Sequence, residues 1–366
     1  MTRAESRSSD IIKCATDFVE NHDFHPVTDG FTYDKKLNEQ GVADLEDEDW
    51  LVRTQALKSF VCASFSGSDD QLIHNLNHRN SHVRQLSASA LSIKKTKSSV
   101  QKLTEILRKD RSEFVRAQSA ISLGQIGDVS TGKALRKAAQ SDGSKDVRHQ
   151  ASVAHYFLKQ GYEATENLQN AYLTLRPETY KKIEVGDVAE PFILPKASGG
   201  DYKLHDNIGN KMIVLIWIFA DWCPVCHREF QELFELEEEF KKRDIEVCTL
   251  ECHDIYPARL MRGLEFEPEY WFSDESFYSG YKEKIWWPHL ADPAAKAGLI
   301  YGVQPMAFAV HAEFINRPAV IIIDKDGIVR FSYFGTFWGD RPSMKDLLNM
   351  ADNNEYKFEA ENRLTH

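Results

Sequence analysis

The run Met212-Ile213-Val214-Leu215-Ile216-Trp217-Ile218-Phe219-Ala220 leads directly into Asp221-Trp222-Cys223-Pro224-Val225-Cys226-His227, and these residues decide the fold. Branched and aromatic side chains without polar alternation predict a central strand, buried on both faces of a mostly parallel sheet. Beyond the cysteines, Phe230, Leu233, Phe234, Leu236 and Phe240 keep helical spacing among glutamates, so a helix begins at the cysteine pair. The order is strand, Cys-x-x-Cys, helix. Two cysteines three apart at a helix start stand at disulfide distance. The free backbone N–H groups and the helix dipole there favour a thiolate on Cys223. Pro224 suits the first turn, where its missing N–H costs nothing. In this scheme Cys223 attacks a target disulfide and Cys226 resolves the mixed disulfide. It requires sulfurs that solvent can reach.

Working outward, Gly186, Ala189, Pro191 and Phe192 precede the strand. Trp287-Pro288-His289-Leu290-Ala291-Asp292-Pro293, Tyr301-Gly302-Val303 and Arg317-Pro318-Ala319-Val320-Ile321-Ile322-Ile323-Asp324-Lys325-Asp326-Gly327 follow it. With the dithiol, these motifs in this order resemble the thioredoxin superfamily, in particular its AhpC/TSA redoxin branch, which includes peroxiredoxins. The resemblance implies an α/β thioredoxin-like domain over 185–350 and a cis Pro318 facing the dithiol. Trp222 is expected to pack over the sulfurs. Three departures matter. Trp217 stands where thioredoxins carry a buried acid six residues before the first cysteine. Cys223 stands where peroxiredoxins carry a threonine three residues before the peroxide-reactive cysteine, which on that alignment is Cys226, with Arg317 as its cationic stabiliser. Residues 251–276, including Tyr270, Trp271 and Phe272, exceed what the redoxin pattern needs and predict an extra segment beside the site or plain surface packing.

Cys248 and Cys252 fall in the next predicted strand, on one face with Leu250. Cys248 reads as a buried, inert thiol. Cys252, at the strand's C-terminal end, is expected on the dithiol's edge and able to exchange with Cys223 or Cys226. Cys223-Pro-Val-Cys226-His227 also fits c-type haem attachment, but its place between a buried strand and a helix argues against haem. A zinc site from Cys223, Cys226, Cys252 and His253 has suitable ligand types in a poor arrangement. No cofactor and no metal are expected.

The first half is a repeat array. Val-Arg recurs at Val52-Arg53, Val83-Arg84, Val115-Arg116 and Val147-Arg148. A small residue follows three positions after each arginine: Ala56, Ser87, Ser119 and Ala151. Polar turns precede each pair, as helix starts require. Second helical patterns lie between, such as Val100, Leu103 and Leu107. A helix pair of this kind cannot bury its own apolar face and must stack on its neighbours. The pattern resembles short HEAT-like repeats over 41–161, whose stacked helices imply a docking surface for a protein partner; an irregular helical bundle is the plainer alternative. Each repeated arginine reads first as a structural group bonding a neighbouring turn. Residues 1–40 hold one predicted helix, at 10–19, and a loop. Residues 162–184 read as a capping helix and linker, and 351–366 as a tail.

The fold class is therefore multidomain: an N-terminal all-α HEAT-like solenoid followed by an α/β thioredoxin-like domain. A length of 366 residues calls for more than one core, and 42% hydrophobic against 28% charged residues excludes a disordered chain. A net charge of −11 without a basic stripe disfavours nucleic acid and anionic lipid. The longest apolar run is far short of the roughly 20 residues that span a bilayer. The N-terminus has no apolar signal core, so a cytoplasmic location is expected. The function expected is thiol-disulfide exchange on a protein or small-molecule disulfide or dithiol, with the repeats recruiting a partner. A peroxidase using Cys226 is the alternative, and a non-catalytic scaffold, active even as Cys223→Ser, a third.

Overall fold

The computed structural model describes residues 67–161, 182–221, 223–265, 284–303, 305–310, 313–335 and 341–358, with isolated positions between 168 and 175 and at 281. The 10–19 helix, the Val52-Arg53 repeat, Trp222, and Tyr270, Trp271 and Phe272 lie outside the described residues.

Helices α1 (Ser68–Asn75) and α2 (Ser81–Ile93), α3 (Val100–Lys109) and α4 (Glu113–Ile126), and α5 (Gly132–Ser141) and α6 (Lys145–Gln160) form the HEAT region. Val83, Val115 and Val147 are fully buried, as are Ser87, Ser119 and Ala151 one turn further on. The valines supply apolar area, about 1.5–3 kcal/mol each, and the small residues let successive helices approach. At Gly124 a Cβ would stand 2.8 Å from both Cα and Cβ of Ala154, so α4 and α6 meet at a point where only glycine fits.

The repeated arginines clamp each unit to the next. Arg84 donates from Nε and Nη2 to both oxygens of Asp110, each at 2.8 Å. Arg116 does the same to Asp142 at 2.9 Å. A third donor, Nη1, reaches the carbonyl six residues back in each helix, as in Arg84 to His78, Arg116 to Asp110 and Arg148 to Asp142. Asp110 and Asp142 also accept from the N–H groups of Ser112 and Ser144, ordering the turns before α4 and α6.

The α/β thioredoxin-like domain follows. A small hairpin pairs β1 (Ile193–Pro195) with β2 (Asp201–Lys203). Strand β3 (Met212–Trp217) leads to α7 (Pro224–Glu235) and α8 (Glu237–Lys242), then β4 (Ile245–Glu251) and α9 (Ile255–Met261). Strand β5 (His289–Ala291), α10 (Lys296–Ile300), the hairpin β6 (Pro305–Val310) and β7 (Glu313–Asn316), β8 (Ala319–Ile323), β9 (Val329–Phe334) and α11 (Met344–Asn353) complete it. The main sheet runs β5-β4-β3-β8-β9. Strand β3 is central as the sequence predicts, and β5, β4 and β3 pair in parallel, while β8 runs antiparallel to both of its neighbours, β3 and β9. The sheet is thus mixed rather than mostly parallel. A short turn at 324–328 joins β8 and β9 as a hairpin, which makes that pair antiparallel.

Both faces of the sheet are buried. Val214 and Ile216 face α7 and α11 in one core with Val320 and Ile322, while Ile213, Leu215 and Trp217 face Phe192, Tyr202 and Tyr301 in another. Among the described residues no helix is long and apolar enough to cross a membrane. The two regions pack together: Tyr156 and Phe157 of α6 contact Tyr256 of α9, with the Phe157 and Tyr256 ring centroids 4.4 Å apart.

Candidate functional site

Cys223 is the N-cap residue of α7, with Pro224 at its start, and Cys226 lies in its first turn. The helix begins where the sequence places it. The ends of β3 and α7 hold the two sulfurs beneath Phe219 and Ala220, in the core formed with Val214, Ile216 and Phe230. Both cysteines are free thiols and both are 0% exposed. Both sulfurs are thus closed off from solvent, unlike the accessible pair that the exchange scheme requires.

The ionisation order is also reversed. The Phe219 N–H lies 3.3 Å from Cys226 Sγ, and Arg341 Nη2 donates to the same sulfur at 3.5 Å. Burial alone would raise the Cys226 thiol. The hydrogen bond with Cys223, the Arg341 charge and these donors outweigh burial and bring it down to about 6. Burial pushes Cys223 well up, and the adjacent Cys226 adds to the effect. The buried guanidinium in contact with Cys226 thus favours the thiolate on that sulfur rather than on Cys223 at the helix start.

Arg341 is 4% exposed and is the feature the sequence reading missed. It donates from Nη1 to the Trp217 carbonyl at 2.9 Å, and Nη2 lies 2.6 Å from Glu229 Oε2. Glu229 follows Cys226 by three residues on the same helix, so both side chains meet the one guanidinium. Burial pushes the Glu229 carboxyl up to about 8 even with Arg341 beside it, which leaves the guanidinium charge to Cys226 near neutral pH. Buried Arg341 sits before the capping box of Ser343 and Asp346 that starts α11, a place no local spacing ties to the cysteines.

Arg317, expected beside Cys226, donates instead to the backbone carbonyls of Gly335 and Phe334, bracing the end of β9. Pro318 is trans, since no cis peptide occurs among the described residues; its carbonyl accepts from the Gly335 N–H at 2.8 Å. Cys248 is buried on the sheet face opposite the dithiol and its thiol is raised, first by burial and then by Glu246. Cys252 falls just past β4 and packs in the core of the helical repeats, not in the core holding Cys223 and Cys226. Among the described residues, Cys223, Cys226, Cys252 and His253 do not converge as a ligand set.

Residues 185–332 match the AhpC/TSA family, and residues 70–154 match HEAT repeats. The chain thus carries an AhpC/TSA peroxiredoxin-like domain C-terminal to HEAT repeats, and this domain is of the redoxin class of thiol-based oxidoreductases. It is similar to the 1-Cys peroxiredoxin PER1 of Zea mays, 26% identical over 178 residues, covering 46% of this chain and 72% of that protein. A peroxiredoxin of Aquifex aeolicus is 31% identical over 161 residues, covering 42% of this chain and 62% of that one. The thiol:disulfide interchange protein DsbE of Allochromatium vinosum is 25% identical over 163 residues, covering 44% and 74%. Across these and other curated relatives the matches span 47–74% of the relative's length. A peroxiredoxin 6 structure from Arenicola marina aligns at 24% identity over 47% of this chain and 74% of that chain, with a TM-score of 0.40.

Proposed function

We propose that this chain is a thiol peroxidase in which Cys226 is the reacting sulfur. The observation that carries the reading is the Cys226 sulfur held by the Phe219 N–H and Arg341, with its thiol lowered. The thiolate attacks one oxygen of a hydroperoxide, the O–O bond breaks, and the leaving alkoxide or hydroxide takes a proton, giving Cys226 sulfenic acid and an alcohol or water. The Cys223 thiol, hydrogen-bonded to Cys226, then attacks that sulfur; water leaves and a Cys223–Cys226 disulfide remains, to be reduced by an external dithiol. Enclosure of both sulfurs favours a hydroperoxide of a few atoms over a folded protein disulfide, which must align three sulfurs in line.

The predominance of peroxiredoxins among the relatives supports this reading over the exchange reaction. Disulfide exchange is the second reading, favoured by the Cys-Pro-Val-Cys spacing and by the DsbE similarity. The repeats are inferred to dock a protein partner, since their arginines are spent on internal clamps and leave the outer helical surfaces for contact.

Stopped-flow oxidation by hydrogen peroxide tests the assignment. Cys226→Ser is expected to abolish the reaction, and Cys223→Ser to keep the first oxidation while accumulating sulfenic acid. Rapid oxidation that survives Cys226→Ser and disappears in Cys223→Ser would overturn it; reduction of insulin disulfides at a comparable rate would favour exchange.

A further inference from the structure

Glu251 ends β4 on the sheet face that carries the dithiol, since it alternates with Thr249 and Val247. It is 0% exposed, and neither of its carboxylate oxygens has a hydrogen-bond partner. Two imidazoles approach it. His289 Nε2 lies 3.4 Å from Oε1, and His253 Nδ1 lies 3.6 Å from Oε2. Asp221, itself 7% exposed, arrives from the loop between β3 and α7. One ligand atom each from Asp221, Glu251 and His253 all fall within 4.8 Å of one another.

These separations are informative. Charge-assisted hydrogen bonds run about 2.7–2.9 Å, shorter than either contact. Two ligand atoms each about 2.1 Å from one cation, at a tetrahedral angle, stand roughly 3.4 Å apart. We propose that Asp221, Glu251 and His253 form a binding site for a divalent cation of the zinc class, with one coordination position left for water. An oxygen and imidazole donor set suits zinc, manganese or ferrous iron more than calcium, which collects six or more oxygens.

The surroundings are built to orient such a site. Trp287 Nε1 donates to Thr249 Oγ1 at 2.9 Å, and Thr249 Oγ1 lies 2.8 Å from His289 Nδ1. This chain of contacts fixes the His289 ring with its Nε2 facing the second oxygen of Glu251. Ligating carboxylates commonly have a polar outer neighbour that orients them, and His289 is placed to be that neighbour of Glu251. The set contains no cysteine, so the inference does not rest on the peroxidase reading. It departs from the sequence expectation of no metal because Asp221 lies in a different segment from Glu251 and His253, thirty residues away in sequence. Bound metal would tie the loop leading into Cys223 to the end of β4, just before the helix that packs on the repeats.

The test is calorimetric titration of zinc into the full-length, reduced, chelator-stripped protein in a Cys223→Ser/Cys226→Ser background, which removes thiolate binding. One equivalent is expected to bind. Glu251→Gln is expected to weaken it at least 100-fold and Asp221→Asn at least 10-fold, with circular dichroism confirming that each variant is folded. Cobalt in the same background should give ligand-field bands without thiolate charge transfer. Absence of zinc binding in the Ser/Ser background, or binding unchanged in both carboxylate variants, overturns the proposal.

Discussion

The Arg341 guanidinium donates to the Cys226 sulfur at 3.5 Å across 115 residues of sequence. It also contacts Glu229, so the same guanidinium touches both groups. Without it the Cys226 thiolate keeps only the Cys223 hydrogen bond and the Phe219 N–H against the cost of burial. For Arg341→Met, alkylation of Cys226 by iodoacetamide at pH 7 is expected to slow by about 10-fold or more, as one pKa unit or more is restored. The wild-type rate should fall as pH drops through about 6, and the variant's should fall at higher pH. An unshifted pH profile would show that Arg341 is only structural.

Glu229 supplies the complementary titration. Its folded-state value is raised, first by burial, to about 8 from an ordinary 4.5. A raised acid contributes stability that is full below the unfolded value and is lost as pH climbs through the folded one. Glu229→Gln removes that loss. The variant's urea midpoint, measured between pH 5 and 8.5, is therefore expected to gain on the wild type as pH rises, and a constant difference across that range would refute the shift.

How much of this was legible in the sequence depends on the range over which each signal acts. The HEAT region could be read because Val83, Val115 and Val147 repeat one local solution, and the strand before Cys223 because its apolar run has no polar break. The reversal between Cys223 and Cys226 was not legible, because it depends on Arg341, which reaches the sulfur through the return of the chain into α11. Arg317 matches by residue type and neighbourhood, yet its Nε and Nη2 donate to backbone at the end of β9. Cys252 is expected on the dithiol's edge from its place at the strand's C-terminal end, but β4 ends at Glu251 and the next residue packs toward the repeats.

That turn makes oxidation selective. Cys252 is 2% exposed and packs with Ala294, Ala295 and Leu299 in the repeat-side core. Peptide mapping after mild peroxide treatment is expected to recover a Cys223–Cys226 bridge, with Cys252 and Cys248 still alkylatable after denaturation. A bridge from Cys252 to either active-site cysteine would contradict the packing.

Gly124 sets the spacing of the last two repeats. A methyl group there would meet Ala154 backbone and side chain at 2.8 Å, and backbone cannot give way as a flexible side chain can. Alanine is the better helix former by up to about 1 kcal/mol, but overpacking costs about 1–3 kcal/mol. Gly124→Ala is therefore expected to lower the urea midpoint of the helical region, and a rise would mean that α4 and α6 part without cost.

The clamp between Arg116 and Asp142 is the sharpest test of how the array coheres. Their side chains are 17% and 12% exposed, so the pair is largely removed from water. Arg116→Met leaves Asp142 with its Ser144 N–H but without its counter-ion, and leaves the Asp110 carbonyl short of a donor. Breaking a buried pair costs about 3–5 kcal/mol, and the residual exposure here places the expectation at the low end, near 3. Replacing both partners, Arg116→Met with Asp142→Leu, removes the stranded charge as well. The double variant is therefore expected to lose less stability than Arg116→Met alone, although it also forfeits the Ser144 cap. Equal or additive losses in a double-mutant cycle would mean that solvent, not the partner, satisfies these groups, and the arginine repeat would then need another physical reason.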